Sequence, residues 1–292
     1  MRTVADMSTL AVLAHYDPDG LVANHVVGAV DQLRPIAEKV VFVTTATLTP
    51  GAKARLDQVD EVIERPNSGY DFYSWRTGLL AAGDPRQYDC IILANDSVVG
   101  PLVPVSDLLH DMRRTASDAY GISTSTQAGL HVQSYWTALG PRAIQHPAVA
   151  GFWQSMAPVD DRAAVIERYE LGLGRSLAAA NLRLGSYFQP TPHEGRLMAA
   201  RMASFHRSPP SRQAAAAAAY ALQPLRRVDE SPVLALWDRV FEQARLPVVK
   251  VSLFTRNPYR IDRGAVLGRL SQLYPEAFDG FADYLRRIGV SW

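Results

Sequence analysis

The chain has 292 residues, 48% of them hydrophobic and 20% charged, and its 30 basic and 29 acidic side chains give a formal net charge of +1. This balance excludes the basic surface typical of nucleic-acid-binding proteins, and a chain of this length buries a large core. No apolar run approaches the roughly 20 residues that span a bilayer, and Cys90 is the single cysteine, so we expect a soluble cytoplasmic protein without transmembrane segments, with peripheral association at the inner face of the plasma membrane as the alternative.

The first half of the chain alternates short apolar runs with helix-like segments. The predicted elements are, in chain order, strand 10–14, helix 20–33, strand 40–45, helix 50–59, strand 61–64, helix 70–82, strand 88–94 and helix 104–114. Such alternation is typical of βαβ units and a largely parallel sheet. The apolar run of the fourth strand ends abruptly in Asn95-Asp96-Ser97. Because ligands of open α/β sheets bind at the carboxyl ends of strands, Asp96 is a candidate site residue.

The second half is less regular. Strands are predicted over 119–123 and 131–138, and a helix is predicted from an N-cap at Asp160 or Asp161 to about residue 181. Proline-rich stretches at 189–192 and 208–211 are candidate boundaries, and the alanine run 214–219 favours a helix. We therefore expect a substrate-binding and catalytic α/β domain over residues 1–190 and a mainly helical region over residues 191–292 that completes the site.

Polar clusters follow each of the first four predicted strands, at residues 15–20, 44–47, 65–71 and 95–97. Carboxyl ends of parallel strands share one edge of a sheet, so carboxylates, an arginine, amides and hydroxyls would meet there, where a nucleotide diphosphate could lie. The chain contains neither a glycine-rich P-loop nor a G-x-G-x-x-G fingerprint, which argues against an ATPase and a dehydrogenase. The sequence thus predicts a nucleotide site of another kind.

Several short segments resemble one protein family. They are AHYDPDG (14–20), RPNSGYDF (65–72), LANDS (93–97), GPL (100–102), QSY (133–135), ERYELGL (167–173) and NPY (257–259). In order and spacing they resemble the rhamnan synthesis protein F family, over about residues 9–261. The resemblance implies an A-type glycosyltransferase fold, which is Rossmann-like with a mainly parallel sheet. It also implies a glycosyltransferase of bacterial cell-surface polysaccharide assembly that uses an activated 6-deoxyhexose such as dTDP-L-rhamnose as donor and a glycan or lipid-linked glycan as acceptor.

Binding roles follow for residues of these segments. The loop after the first strand would border the nucleobase and ribose, although Asp17 also fits a plain turn, and Asp71 would contact the ribose or the sugar. His131 and Gln133, at alternate positions of a strand, would contact the donor sugar or the acceptor. The candidate substrate-binding residues are His15, Tyr16, Asp17, Thr45, Arg65, Asn67, Gly69, Tyr70, Asp71, Asn95, Ser97, His131, Gln133 and Lys250.

Asp96 is a candidate for both catalysis and metal binding. Where A-type transferases commonly carry an Asp-x-Asp motif, this chain has Asn95-Asp96-Ser97, with one carboxylate. One carboxylate can support a hydrated Mg²⁺ or Mn²⁺ that bridges two phosphates, because such ions keep several waters. The alternative is a metal-independent mechanism in which Arg65 and Lys250 neutralise the leaving diphosphate.

Glu170 is the candidate catalytic base. Inverting A-type transferases resemble one another in placing an acidic residue on a helix well downstream of the metal motif, and Glu170 occupies that place, with Glu167 as the alternative. In a single displacement this base would deprotonate an acceptor hydroxyl. Two other functions stay open: a non-catalytic module that binds a sugar nucleotide or carbohydrate, and a sugar-phosphate nucleotidyltransferase.

Overall fold

The structure is a computed structural model that describes residue 4 and residues 6–126, 129–207 and 231–291. The predicted boundary at 208–211 and the predicted helix over the alanine run 214–219 lie outside the described residues. Within the described part, the chain forms an α/β sheet followed by a mainly helical C-terminal region. The fold class expected from the sequence is therefore confirmed.

One large sheet organises the molecule. Its strands are β1 (Thr9–His15), β2 (Lys39–Thr44), β3 (Glu61–Glu64), β4 (Cys90–Asn95), β6 (Ala119–Ser125), β7 (His131–Val132), β8 (Trp136–Leu139) and β9 (Leu184–Phe188), while β5 (Val98–Val99) and β10 (Val249–Lys250) form a separate antiparallel pair. The order in the sheet is β3-β2-β1-β4-β8-β6-β7, and β9 pairs with β6. The pairs β1-β2, β1-β4, β2-β3 and β6-β9 are parallel, whereas β8 is antiparallel to β4 and β6.

Helices connect and cover the strands. In the described residues they are α1 (Asn24–Leu33), α2 (Pro50–Ala54), α3 (Tyr70–Ala81), α4 (Val105–Arg114), α5 (Pro141–Gln145), α6 (Pro147–Gln154), α7 (Arg162–Val165), α8 (Leu171–Ala179), α9 (Pro192–Arg207), α10 (Pro232–Ala235), α11 (Ser252–Thr255), α12 (Arg263–Leu273) and α13 (Phe281–Arg287). A π-helical segment, Ile166–Glu170, joins α7 to α8. None of the helices in the described ranges has the length and apolar character needed to cross a membrane.

The first two helices are shorter than predicted. The helix predicted from residue 20 begins at Asn24, because Gly20 adopts a left-handed φ of +66° and the carboxylate of Asp17 accepts bonds from the amides of Asp19 and Leu21, which makes a turn. The helix predicted over 50–59 ends at Ala54. The Gly20 turn lies against the loop after β2, where the Gly20 carbonyl accepts from the Thr49 amide at 3.0 Å.

Two predicted elements of the middle region are interrupted. The strand predicted over 131–138 is split into β7 and β8, because the intervening main chain bonds elsewhere: the amide of Ser134 donates to Glu170, and the carbonyl of Tyr135 accepts from the amide of Asn95. The helix predicted to residue 181 begins after Asp161, which caps the amide of Ala164, and contains the π-helical segment. Both interruptions lie next to Glu170.

The core lies on both faces of the sheet. Alternate residues of β1 belong to two hydrophobic clusters, with Leu13 in one and Val12 in the other. The cluster of Leu13 also contains apolar residues of the C-terminal region, namely Val233, Ala235, Leu236, Leu246 and Val248. A third cluster, around Phe281, joins the C-terminal helices. The division at residue 190 stays a prediction, and the hydrophobic core is continuous across it.

Candidate active site

The predicted polar clusters meet at one edge of the sheet. In the parallel ladders, His15 lies opposite Thr44, Ala14 lies opposite Asn95, and Thr44 lies opposite Glu64. The segments that follow β1, β2, β3 and β4 therefore begin side by side. The sequence-based expectation that these four clusters share an edge is confirmed by the strand register.

Asn95 and its neighbour Asp96 connect the end of β4 to other segments at this edge. Its side-chain amide donates to the Asp71 carboxylate at 2.8 Å, and its carbonyl oxygen accepts from the Ser97 hydroxyl at 2.6 Å and the Ser97 amide at 3.1 Å. The neighbouring Asp96 carboxylate accepts from the main-chain amide of Tyr16 at 2.8 Å. The loop after β1, the start of α3 and the end of β4 are thus joined by hydrogen bonds at a pair of carboxylates.

The electrostatics of this pair favour a proton or a cation. Burial raises the pKa of Asp71, and the negative charge of Glu170 adds to this, while the Asn95 amide and the positive charges of Arg65 and Lys250 oppose it. Burial also raises the pKa of Asp96 to about 7, with Asp71 contributing and the Tyr16 amide opposing. Two carboxylates that disfavour each other's ionisation are poised to bind a neutralising group.

Glu170 faces the same cluster from the π-helical segment. Its carboxylate accepts from the Ser134 amide at 3.3 Å, and it lines a small cavity together with Phe72, Trp75 and Thr137. π-Helical turns occur frequently at functional sites. Glu167, the alternative base, lies on the surface and forms an ion pair with Arg175 at 2.5 Å, with 58% of its side chain exposed. The geometry therefore favours Glu170.

Lys250 reaches the site through the small two-stranded sheet. Strand β10 pairs with β5, so that Lys250 lies opposite Val98, two residues beyond Asp96. The ammonium nitrogen lies 5.2 Å from the centre of the Tyr135 ring, a cation–π distance, and its charge lowers the pKa of Asp71. The C-terminal region thus supplies a cation to the carboxylate pair.

Arg65 is held by its own loop. Its guanidinium donates to the Ser74 hydroxyl at 2.7 and 3.1 Å, to the Pro66 carbonyl at 2.9 Å and to the Tyr70 carbonyl at 2.8 Å, and it also bonds the Ser68 carbonyl. These bonds engage every N–H of the side chain. Its role in neutralising a diphosphate stays a prediction, and that role would require some of these bonds to be exchanged.

The other predicted residues of the 65–71 loop differ in exposure. Asn67 and Tyr70 are exposed, and Tyr70 has a left-handed φ of 52°. Gly69 is buried with φ +76°, and its amide donates to the carboxylate of Asp160 at 3.2 Å. Tyr16, across the edge on the β1 loop, is 52% exposed. The exposed aromatic rings are available to a ligand, and the buried glycine shapes the loop.

His15 and Asp17 are buried in the β1 loop. The Nδ1 atom of His15 lies 3.0 Å from the Thr44 hydroxyl, and burial lowers the pKa of His15 to about 4, so its ring is neutral at pH 7. Thr45 contributes its amide to the His15 carbonyl at 3.1 Å. Asp17 forms an ion pair with Arg287 of α13. The turn predicted as one alternative for Asp17 is present.

His131 and Gln133 are also buried. His131 Nδ1 lies 2.9 Å from the carbonyl of Gly129, and the Gln133 carbonyl accepts from the hydroxyls of Ser123 at 2.8 Å and Ser231 at 3.3 Å. Strand β7 ends at Val132, so Gln133 lies beyond it. Contact of either side chain with a sugar stays a prediction, and the structure shows a packing role for both.

Three features of the site were missed by sequence reasoning. They are the Ser134 amide at Glu170, the Tyr135 ring beneath Lys250, and Arg287 at Asp17. Ser134 and Tyr135 belong to the segment QSY (133–135), which contributed to the family resemblance. Neither their main-chain contacts nor the break in the strand can be predicted from the neighbouring residues. Arg287 is 270 positions from Asp17, and no pattern in the sequence joins them.

The donor set for a metal is incomplete in the protein alone. Among the described residues, no group of three or more His, Cys, Asp or Glu side chains is arranged to hold an ion. The carboxylate oxygens of Asp96 and Asp71 nevertheless suit Mg²⁺ or Mn²⁺, which prefer oxygen ligands and retain water. An ion held by these two residues would need its remaining ligands from water or from a bound substrate.

Comparison with known protein families identifies the family of this chain. The family described as rhamnan synthesis protein F matches residues 40–209, more than half of the sequence. This chain belongs to the rhamnan synthesis protein F family. The stretch that matches this family contains Asp71, Asn95, Asp96 and Glu170, whereas the β1 loop and Lys250 lie outside it. The resemblance seen in the motifs is thus confirmed, over a shorter range than residues 9–261.

Two relatives match part of the chain. The uncharacterized protein y4gN of Sinorhizobium fredii is 26% identical over 190 residues, which cover 62% of this chain and 49% of that protein. The virulence protein VirA of Vibrio anguillarum is 33% identical over 130 residues, which cover 42% of this chain and 41% of that protein. This member of the rhamnan synthesis protein F family therefore spans about half the length, or less, of these curated relatives.

Part of the chain is also similar, at low TM-score, to solved structures. A 4-diphosphocytidyl-2C-methyl-D-erythritol synthase of Anaerococcus prevotii has a TM-score of 0.35 and 14% identity, with 57% of this chain and 84% of that chain covered. A second structure of a synthase of the same name has a TM-score of 0.35 and 16% identity, with 62% and 88% covered. These similarities bear on neither substrate nor reaction.

Proposed function

We propose that this chain is a glycosyltransferase that transfers a 6-deoxyhexose, in the first instance L-rhamnose from dTDP-L-rhamnose, to a growing bacterial cell-surface polysaccharide. The observation that carries the proposal is one grouping: Asp71 and Asp96 at the strand edge, with Glu170 and Lys250 close enough to change the pKa of Asp71. A carboxylate pair, a cation and a third acid at the carboxyl ends of parallel strands suit a sugar nucleotide.

The proposed reaction is a single displacement at the anomeric carbon. Glu170 removes the proton of an acceptor hydroxyl while the hydroxyl oxygen forms the new glycosidic bond. The bond between the anomeric carbon and the diphosphate oxygen breaks, and its electron pair leaves with the nucleoside diphosphate. Attack opposite the leaving group inverts the configuration. The Ser134 amide, 3.3 Å from the Glu170 carboxylate, orients the base.

The leaving diphosphate needs positive charge. Lys250 would supply one positive charge beside the carboxylates, and a divalent cation bound with the donor would supply another. Asp96 would hold Mg²⁺ or Mn²⁺, which when bound neutralises charge on the diphosphate. A metal-independent reaction with Lys250 and Arg65 is the alternative, and comparison of turnover with and without a chelator distinguishes the two.

The proposed partners are a sugar-nucleotide donor and a glycan or lipid-linked glycan acceptor. We place the reaction in the cytoplasm, at the inner face of the plasma membrane, because a lipid-linked acceptor would be presented there. The exposed rings of Tyr16 and Tyr70 on either side of the strand edge offer stacking surfaces for the donor or the acceptor.

A matched pair of variants tests the base. The donor is first identified by thermal stabilisation with dTDP-L-rhamnose and other sugar nucleotides, with and without Mg²⁺ or Mn²⁺, because a ligand that binds only the folded state stabilises it. Glu170→Gln should then lower kcat by about 10²–10⁴-fold, the usual contribution of a general base, and leave donor binding nearly unchanged. Glu167→Gln is the control and should keep wild-type turnover.

The same experiments distinguish the proposed reaction from another catalytic base and from the two other candidate functions. Wild-type turnover by Glu170→Gln would remove Glu170 as the base, and loss of turnover in Glu167→Gln alone would transfer the role to Glu167. Donor binding by the wild-type protein without hydrolysis or transfer would indicate a binding module. Release of pyrophosphate from a nucleoside triphosphate and a sugar phosphate would indicate a nucleotidyltransferase.

A further inference from the structure

The C-terminal helix α13 is paired with the loop after β1 by an ion pair whose carboxylate is buried. Arg287 donates through Nη1 to Asp17 at 3.1 Å and to Asp19 at 2.5 Å, and its Nη2 bonds the second oxygen of Asp17. Only 4% of the Asp17 side chain and 26% of the Arg287 side chain are exposed. A two-pronged contact with a buried carboxylate has a fixed geometry, unlike an exposed surface pair.

Helix α13 also packs along the start of α1. Gly280 has a left-handed φ of +62°, and a Cβ atom there would lie 2.8 Å from the Asn24 side-chain nitrogen. The same nitrogen donates to Asp279 at 2.7 Å. The ring of His25 lies 5.3 Å from Phe281 and 4.8 Å from Tyr284, edge to face. The position of Arg287 is therefore set by the whole helix.

The paired loop reaches the carboxylates of the site. The Asp17 carboxylate accepts from the amides of Asp19 at 3.0 Å and Leu21 at 3.2 Å, so one oxygen serves both the turn and Arg287. Gly20 closes the turn against the next loop, where a Cβ atom would lie 2.1 Å from the Thr47 carbonyl. One residue before Asp17, the Tyr16 amide donates to Asp96. Movement of the turn would displace that amide.

We propose that Arg287 is a positioning residue for donor binding: through Asp17 and Asp19 it holds the β1 loop so that the Tyr16 amide meets Asp96. The inference rests on the proposed function. It means that the C-terminal helix positions a loop near the N-terminus of the chain. Asp17 then acts through the loop and not by direct contact with the nucleotide. Burial opposes its ionisation, but Arg287 and the loop amides hold the pKa of Asp17 below its ordinary value.

Hydrogen–deuterium exchange tests the pairing without any ligand. In Arg287→Met, the amides of Tyr16, Asp19, Gly20 and Leu21 should exchange roughly tenfold faster, because a charge-assisted contact that holds the loop is lost. The control is Arg286→Met, since Arg286 is the neighbour on α13, is 62% exposed and pairs with Asp283 on the same helix. Asp17→Asn, which retains an oxygen for the amides, should resemble Arg287→Met. Unchanged exchange in both variants would overturn the pairing.

Kinetics with dTDP-L-rhamnose test the positioning role. Arg287→Met and Asp17→Asn should each raise the donor KM roughly tenfold with kcat little changed. Their double variant should be no worse than either single one, and Arg287→Lys should recover part of the loss. If Arg287→Met had the same donor KM as Arg286→Met, the positioning role would be refuted, while the proposed function would stand. Failure of the wild-type protein to bind or use any sugar nucleotide would overturn the proposed function and this proposal together.

Discussion

Arg65 shows how a charged residue at an active-site edge can serve the fold before it serves a ligand. Its half-buried guanidinium bonds Ser74 and the carbonyls of Pro66, Ser68 and Tyr70. It therefore fixes the loop that leads to Asp71. A diphosphate could accept hydrogen bonds from this guanidinium only if some of the bonds to the loop carbonyls were broken. The two roles can therefore be separated by experiment, because one affects stability and the other affects donor binding.

Arg65→Met should destabilise the protein without ligand. Removal of the guanidinium leaves the partly buried Ser68 carbonyl and Ser74 hydroxyl without these donors, so we expect the free energy of unfolding to fall on the order of 2 kcal/mol. Arg86→Met is the control, because Arg86 is 67% exposed and pairs with Asp84 close by in sequence. Urea unfolding measures both. Unchanged stability of Arg65→Met together with weaker donor binding would instead assign Arg65 to the diphosphate.

The N-terminus of helix α9 is specified by local residues and also binds a distant arginine. The Thr191 hydroxyl accepts from the Glu194 amide at 3.3 Å, and the Glu194 carboxylate accepts from the Thr191 amide at 2.8 Å, which is a capping box. The same carboxylate binds Arg245 at two points. The hydrogen bond from Arg245 is the main cause that lowers the pKa of Glu194 from 4.5 to about 2.

Glu194→Gln should lose stability in a pH-dependent way. Because the folded-state pKa lies below the unfolded-state value, Glu194 stabilises the fold above about pH 4.5, and this contribution disappears as the pH falls through about 2. We expect a loss on the order of 2–3 kcal/mol at pH 7. Urea unfolding at pH 7 and pH 3 should show a smaller difference at pH 3. The exposed Glu276→Gln serves as control, and an equal loss at both pH values would contradict the ion-pair explanation.

The whole molecule depends on its C-terminal region at three places. Apolar side chains between Val233 and Val248 lie in the same cluster as Leu13 of β1, Lys250 stands at the carboxylates, and Arg287 binds the β1 loop. Burial of each large aliphatic side chain contributes about 1.5–3 kcal/mol, so several of them together approach the 5–15 kcal/mol, approximately, by which domains are stable. The C-terminal region thus shares the hydrophobic core of the sheet and reaches the candidate site.

A chain that ends at residue 190 should not fold cooperatively. Loss of the apolar side chains between residues 233 and 248 would expose one face of the sheet around Leu13, so we expect a broad or absent thermal transition by circular dichroism and self-association on a sizing column. The full chain is the reference. A sharp transition close to that of the full chain would show that residues 1–190 fold independently and would support the predicted division at residue 190.

Local patterns in the sequence determined the strands, the shared edge and the family. Apolar runs that end in polar clusters predicted β1 to β4 because strand burial and strand ends are encoded within a few residues. Asn95-Asp96-Ser97 was identified in this way, and its position at the edge is confirmed. The motifs also indicated the rhamnan synthesis protein F family, because short segments carry that resemblance independently of how they fold.

Only the tertiary structure decided how these residues are paired. It placed Asp71 beside Asn95, separated the half-buried Glu170 from the exposed Glu167, and joined Asp17 to Arg287. It also interrupted the predicted strand over 131–138, whose main chain bonds Glu170 and Asn95, and introduced a π-helical segment into the helix predicted to residue 181. The physical reason is common to all these cases: a hydrogen bond or an ion pair depends on distance in space, and the sequence between the partners carries no periodicity that records it.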